Sequence, residues 1–371
     1  MLLYKHQKLI GVCHIMSEKD KRWDCLGNAL DEFTPEGIKK SKGLKKIATG
    51  FSELDEILGG GIPYNSLTVL GALPGLGKST FMFQVAEHMA KQGVKVLIFS
   101  MEMTATQIMA KSISRETFIQ GFMDESKAVK ANEFMSEKGI EAIDDDKWKT
   151  VYKAKKNIAE IYKNIFISEW DSTKGNIGKI VKTGQAFCED SENKNDKKII
   201  MIDYLQILSP ETQQITDTRQ TNDVLDSIKS LLKYAPVFLI SSLNRESYDK
   251  GANMASFKNS GNIEYTADVL LAIEFTAQND DKKNTNFVEE QKAKNPREVY
   301  ISVLKQRYGK TGVKINFDYY ASNDLFIQEN DELARDSELK IVMKRKSEDN
   351  IEMQNMKLLF SKLKYHARSR K

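Results

Sequence analysis

Ala72-Leu73-Pro74-Gly75-Leu76-Gly77-Lys78-Ser79-Thr80 is the stretch whose residue types and spacing carry the clearest chemistry. An apolar run, Leu67 to Leu70, precedes it, and a run with helical apolar spacing, Phe81 to Met89, follows. Strand, glycine-rich loop and helix in that order aim successive backbone N–H groups at a polyphosphate, and the helix dipole adds to the attraction. In such a loop Lys78 reaches the β- and γ-phosphates, and the Ser79 hydroxyl ligates Mg²⁺. The usual spacing opens on glycine. Here Ala72 stands at that position and Gly71 comes one residue early. The strand–loop–helix setting argues for a nucleoside triphosphate site rather than a chance match.

A site that cleaves a triphosphate needs carboxylates as well as a cradle. Ile199-Ile200-Met201-Ile202-Asp203 is an apolar strand ending in one, which places Asp203 at the strand edge where it can face Mg²⁺. Val96-Leu97-Ile98-Phe99-Ser100-Met101-Glu102-Met103 is a second such strand. Glu102 sits where a general base would orient the attacking water, or where a helix dipole would favour any acidic residue. The residues alone leave both readings open. Lys305 and Arg307 flank Gln306 after a further apolar strand, Val299 to Leu304. Two cations at that spacing share a strand face, and such a pair can reach a phosphate in a neighbouring subunit. On spacing alone, a solvated surface pair is the favoured reading.

These residues need a scaffold. Apolar strands are expected at Leu67–Leu70, Val94–Ser100, Ile165–Ser168, Ile199–Asp203, Val237–Ser241, Val269–Glu274, Val299–Leu304 and Val313–Phe317. Amphipathic helices are expected at Ser79–Lys91, Ala105–Phe118, Lys147–Tyr162, Gly178–Phe187 and Thr221–Leu232. Continuous apolar strands alternating with helices predict an α/β fold, a mainly parallel sheet covered on both faces. The crowding of strands toward the C-terminal end predicts an antiparallel extension. Ahead of the first core strand, Leu54, Ile57 and Leu58 are helically spaced, and Gly59-Gly60-Gly61 stop that helix. Cys188 to Lys197 and Ala277 to Pro296 are polar enough to be surface loops. Residues 1–47 form a leader, 48–329 the core domain and 330–371 a tail. That tail carries six Lys/Arg and no Asp/Glu from Lys357 to Lys371, enough to lean on phosphates or to solvate a helix end.

Bulk properties narrow the class. Hydrophobic residues make up 40% of the 371 and charged residues 29%, as in a globular protein. No apolar run approaches the roughly 18 residues that cross a bilayer, so no membrane partner is expected. Met1 to Ile15 carries Lys5, His6 and Lys8 within its apolar patch, unlike a signal peptide. Three cysteines, Cys13, Cys25 and Cys188, are too few for a disulfide framework, which points to a reduced, cytoplasmic setting. Cys13, His14 and Cys25 match no standard zinc spacing. A net charge of +4 excludes a uniformly basic nucleic-acid binder.

Taken together, six segments in order resemble the RecA-like ATPase domain of DnaB-type replicative helicases. They are the loop Ala72–Thr80, Phe99-Ser100-Met101-Glu102-Met103, Ile202-Asp203-Tyr204-Leu205-Gln206, Ser241-Ser242-Leu243-Asn244-Arg245, Ser260-Gly261-Asn262-Ile263-Glu264 with Ala267-Asp268, and Lys305-Gln306-Arg307. They span roughly residues 48 to 328, and that family often has alanine at the place of Ala72. The resemblance implies an ATP site with Mg²⁺, built from Ala72, Pro74, Gly75, Gly77, Lys78, Ser79 and Thr80. By position Glu102 resembles the catalytic base and Asp203 the Mg²⁺-linked carboxylate. Lys305 and Arg307 resemble fingers donated across a subunit interface, and Arg245 lies in the segment that senses nucleotide state. Lys258-Asn259-Ser260-Gly261 is similar to the loop that grips the backbone of single-stranded DNA.

The implied activity is a DNA helicase, a homo-oligomer forming a hexameric ring that moves 5′ to 3′ on single-stranded DNA in replication, with primase or a helicase loader as partner. The loop and Thr49–Pro63 also resemble RadA- and KaiC-type ATPases of recombination or switching, whereas the Asp203 and Lys305 segments favour the helicase. Two departures stand out. Ser242 replaces the family's usual Gln before Leu-Asn-Arg and is too short to reach as far. The roughly 45 leading residues cannot supply the family's N-terminal domain, as expected of a phage- or plasmid-like version or of part of a longer primase–helicase.

Overall fold

The structure is a computed structural model, which describes residues 30, 33–40, 45–169, 175–190, 197–210, 217–244, 251–257, 260–276, 287–307 and 309–328. A short helix, α1 (Pro35–Lys40), precedes a compact unit that starts at Lys46.

Within that unit a two-residue ribbon pairs β1 (Lys46–Ile47) with β2 (Ile62–Pro63), around α2 (Ser52–Ile57). The main sheet is built from β3 (Leu67–Ala72), β4 (Lys95–Ser100), β5 (Ile165–Glu169), β7 (Lys198–Asp203), β9 (Val237–Ser242), β10 (Val269–Phe275), β11 (Arg297–Gln306), β12 (Val313–Tyr320) and β13 (Leu325–Ile327). Two further short strands, β6 (Gly175–Asn176) and β8 (Leu208–Ser209), pair with each other. The nine strands run in the order β13-β12-β11-β10-β3-β9-β7-β4-β5. Every pairing from β10 to β5 is parallel, and β11, β12 and β13 extend the sheet antiparallel. That is the expected architecture, and its cause is visible in β3. All six residues of β3 are buried, because β10 and β9 flank its edges and helices cover its faces.

The helices are α3 (Lys78–Lys91), α4 (Ala105–Gln120), α5 (Glu137–Glu141), α6 (Asp145–Tyr162), α7 (Ile177–Glu189), α8 (Asp217–Lys229), α9 (Ser260–Thr266) and α10 (Phe287–Ala293). α3 is buried along most of its length, from Thr80 to Ala90. Its Gln84 side chain donates to the Phe326 carbonyl (2.8 Å) and accepts from the Phe326 N–H (2.9 Å), so the last strand is tied to the helix that follows the loop. Phe51 stacks on Phe81 at 5.0 Å; Phe317 meets both rings edge-on and Phe326 meets Phe81 edge-on, which packs α2, α3 and the C-terminal strands together. α4 opens on a capping box at Thr104 and α6 on an Asp144 cap. A second apolar cluster of Ile113, Val129, Ile143, Val151, Ala154 and Ile158 holds these two helices together.

The departures from expectation are local. The helix expected at Thr221–Leu232 ends at Lys229, and turns then carry the chain to β9, where the Val237 N–H donates to the Ser66 carbonyl. Cys188 and Glu189 finish α7 rather than open a loop, and burial pushes the Cys188 thiol up to about 11. Ala277–Pro296 is not wholly a loop, because its second half contains α10. Among the described residues no helix is long and apolar enough to cross a membrane. The leader up to 29, with Cys13, His14 and Cys25, and the tail from 329 lie outside the described residues.

Candidate active site

The loop expected to hold phosphate leaves the C-terminal end of β3, at the centre of the sheet. Gly75 and Gly77 have φ of 82° and 83°, a region costly for any residue with a Cβ. Gly77 caps α3, and a Cβ there would stand 2.7 Å from Cζ of Tyr319. Gly71 has a different role. It lies within β3, where a Cβ would meet Leu243 and Phe257 at 2.6 Å. The glycine one residue early is thus a strand residue that lets Leu243 and the Phe257 segment close over the sheet. Ala72 is buried at the strand end, and Pro74 and Gly75 are exposed. Thr80, just inside α3, donates to Asp324 at 3.2 Å.

Lys78 is half-buried, and its Nζ lies 3.4 Å from the Leu73 carbonyl. Burial lowers the pKa of its ammonium, the carboxylates of Asp203 and Glu102 raise it, and nearby Lys292 lowers it further. Asp203 ends β7, two strands from the loop strand, and is 1% exposed. One side-chain contact is a hydrogen bond with Ser79, whereas Oδ2 is buried without a hydrogen-bond partner. Burial pushes the Asp203 carboxyl up to about 6, against the Ser79 bond and Lys78, with Glu102 adding repulsion. An orphaned buried carboxylate oxygen beside a serine hydroxyl is a hard oxygen donor set, and it fits Mg²⁺, which takes few protein ligands alongside phosphates and water.

Glu102 follows β4, the strand beside β7, with Ser100 opposite Asp203 in register. It is exposed, accepts a hydrogen bond from the Tyr204 phenol and lines a cleft of about 730 Å³. The cleft also takes Met103, Lys111, Asn132 and Asp324. Loop, Asp203 and Glu102 therefore meet at the carboxyl edge of one parallel sheet, where strand order is interrupted: β9 and β7 lie between β3 and β4. Between them, Ser242 ends β9. Gln206 crosses from the β7 side to that position, donating to Ser241 Oγ (2.9 Å) and accepting from the Ser242 N–H (3.2 Å).

Lys305 and Arg307 are elsewhere. Lys305 pairs with Leu270 at the start of β10, and Arg307 follows the end of β11. The Lys305 ammonium donates to the Glu264 carbonyl (2.6 Å), and burial lowers its pKa. Arg307 forms an ion pair with Asp268, whose carboxylate also accepts from the N–H of Leu67, the first residue of β3. Arg307, level with the start of β3, therefore sits about 16 Å along the strand from the loop of its own chain, and Lys305, level with Val69, about 10 Å. Arg245, Lys258 and Asn259 lie outside the described residues, whereas the backbone of Ser260 and Gly261 opens α9. Sequence reasoning missed two cations at the loop. Arg297 donates to the Gly75 carbonyl (2.9 Å), and the Lys292 ammonium is beside Gly75. Nothing in their spacing marks them.

The model of the DnaB-like helicase C-terminal domain matches residues 46–327. The chain belongs to the DnaB-like helicase C-terminal domain family. The replicative DNA helicase DnaB of Helicobacter pylori is 26% identical over 296 residues, 76% of this chain and 56% of that protein. The DnaB of Geobacillus stearothermophilus is 26% identical over 274 residues, 72% and 53% respectively. The chain thus spans about half the length of the curated relatives it matches. Among solved structures, one described as an ATPase domain is similar with a TM-score of 0.66 and 21% identity, covering 82% of this chain and 99% of that one. A DnaB-like replicative helicase, described with its interactions with primase, has a TM-score of 0.64 and 20% identity, covering 83% and 67%. The shared fold is the expected RecA-like core, and the DnaB-like family match favours the helicase resemblance over the recombination or switch alternative.

Proposed function

We propose that this chain is the motor part of a DnaB-type replicative helicase, which binds ATP with Mg²⁺ and couples its hydrolysis to movement along single-stranded DNA. The observation that carries this reading is the separation of charges. The phosphate loop, Asp203 and Glu102 meet at one edge of the sheet, and Lys305 and Arg307 sit at the other. On this reading, Lys305 and Arg307, beyond reach of the loop in their own chain, act on the loop of another copy.

In this mechanism the N–H groups of Gly75 to Ser79 cradle the phosphates, and Lys78 neutralises them. Ser79 and Asp203 would hold Mg²⁺, which supplies charge neutralisation on the transferred phosphoryl group. Glu102, exposed in its cleft and oriented by Tyr204, accepts a proton from the attacking water. Lys305 and Arg307 of a neighbouring copy exchange Glu264 and Asp268 for the phosphates. Ser260 and Gly261, with Lys258 and Asn259, face DNA, and Arg245 reports the nucleotide state. A hexameric ring, 5′ to 3′ polarity, a cytoplasmic role in replication and docking to primase or a loader complete the reading.

The test is strand displacement on forked DNA with ATP, run beside sizing, for wild type and Glu102→Gln. Unwinding by an oligomer is expected. Glu102→Gln should bind ATP yet turn it over at least about 100-fold more slowly. Full turnover by a single copy, indifferent to DNA, would refute the reading.

A further inference from the structure

Lys292 lies on α10, a helix hidden in a stretch polar enough to pass for a loop. α10 is fixed to the sheet by Phe287, edge-on to Phe275 of β10 at 6.3 Å, and by the buried Gln291. That anchoring brings Lys292 to the phosphate loop: its Nζ and Cε each lie 3.5 Å from where a Cβ on Gly75 would stand. A short way further along the chain, Arg297 opens β11. It lies over the Tyr319 ring at 5.7 Å from its centroid and ties down the Gly75 carbonyl. Its Nε is buried without a hydrogen-bond partner. Lys292 forms no ion pair with another described residue.

Two ammonium groups therefore converge on one short loop, with Lys78 Nζ 3.4 Å from the Leu73 carbonyl and Lys292 Nζ beside Gly75. Like charges brought together disfavour each other unless an anion lies between them. Neither Asp203 nor Glu102 forms an ion pair with Lys292. A polyphosphate in the cradle would meet both ammonium groups.

We propose that Lys292 is a second phosphate-binding cation, supplied by the same chain, which grips the terminal phosphates of the nucleotide together with Lys78. Arg297 is a positioning residue that holds the loop backbone beneath it. The inference rests on the reading of this loop as a triphosphate site. It is distinct from the role of Lys305 and Arg307, because it needs no neighbouring copy.

Equilibrium binding of fluorescent ATP, ADP and AMP analogues to the full chain tests it, with wild type, Lys292→Gln, Lys292→Arg and Lys78→Ala. Lys292→Gln should weaken ATP about tenfold, equivalent to about 1.4 kcal/mol, and leave AMP unchanged. Lys292→Arg, which keeps the charge, should restore most of the ATP affinity, and the salt dependence of ATP binding should be shallower in Lys292→Gln. Unaltered ATP affinity in Lys292→Gln overturns the proposal. So does an equal loss for ATP and AMP, which would mark a disturbed loop rather than a lost phosphate contact. A wild-type chain that binds no ATP, or a Lys78→Ala chain that binds it as well as wild type, overturns the triphosphate site itself and the proposal with it.

Discussion

Replacing Asp203 by Asn should stabilise the free protein at neutral pH while disabling its proposed metal site. Asp203 is 1% exposed, and its carboxyl is pushed from an ordinary 3.8 up to about 6. One pH unit corresponds to about 1.36 kcal/mol, so keeping this carboxylate ionised inside the fold costs about 3 kcal/mol at pH 7. The folded value lies above the unfolded one, so the unfolded chain releases this proton first. The stabilising contribution of the protonated form is complete below about pH 4 and is lost as pH rises through about 6. Asn keeps the size and the polar contact with Ser79 but has no charge to bury. Melting temperatures of the nucleotide-free, metal-free chain from pH 4 to 8 read this directly. The two proteins should nearly coincide at pH 4, and Asp203→Asn should melt several degrees higher at pH 8, as about 3 kcal/mol implies for a chain of this size. With Mg²⁺ and ATP the order should reverse, because ligand binding stabilises only the protein that can hold it. Parallel pH curves, or an Asn variant that melts lower at pH 8 without ligand, would refute the claim that the buried carboxylate is held at a cost for binding.

Two further outcomes concern charges held inside the chain. Glu87 accepts from Arg115 (2.7 Å) and from Tyr162 (2.7 Å); burial would raise its carboxyl, yet Arg115 and these hydrogen bonds outweigh it and lower the pKa. Arg115→Met removes one partner of this buried pair and should cost about 3–5 kcal/mol, visible as a lower urea midpoint; a midpoint within error of wild type would show the pair to be dispensable. Arg307→Ala, whose ion pair with Asp268 is half-exposed on the arginine side, should change stability by less than about 1 kcal/mol. Mixed into wild type, it should depress ATP turnover more steeply than dilution; a strictly proportional fall would remove Arg307 from any role between copies.

Much of the core was legible because parallel strands buried on both faces read as unbroken apolar runs, as in Ile199–Ile202. Gly77 was legible because loop geometry demands a left-handed residue before the helix. What escaped depends on tertiary placement. α10 has only Phe287, Val288 and Gln291 turned inward, too few for a helical period to stand out from its charged neighbours. β13 is three residues long and gains its place by pairing with β12 and bonding to Gln84. The separation of Lys305 and Arg307 from the loop is a property of strand direction, since β11 runs antiparallel to β10, and no local pattern encodes it. At Ser242 the sequence showed a side chain shorter than the usual Gln but not its neighbour Gln206, which bonds to the Ser241 hydroxyl and the Ser242 N–H.

The placement of cradle and cations at opposite strand ends gives each molecule a polarity. A two-fold pair that joins like edges would leave both cradles without a neighbour's Arg307. A head-to-tail contact, repeated by a rotation that returns to its start, satisfies every site at once, and a rotation that fails to close gives a filament with one vacant end. On the proposed reading of Arg307, the hand and pitch of that rotation would be under the same constraint as the chemistry, because a subunit tilted out of register would take its Arg307 away from the next molecule's phosphates.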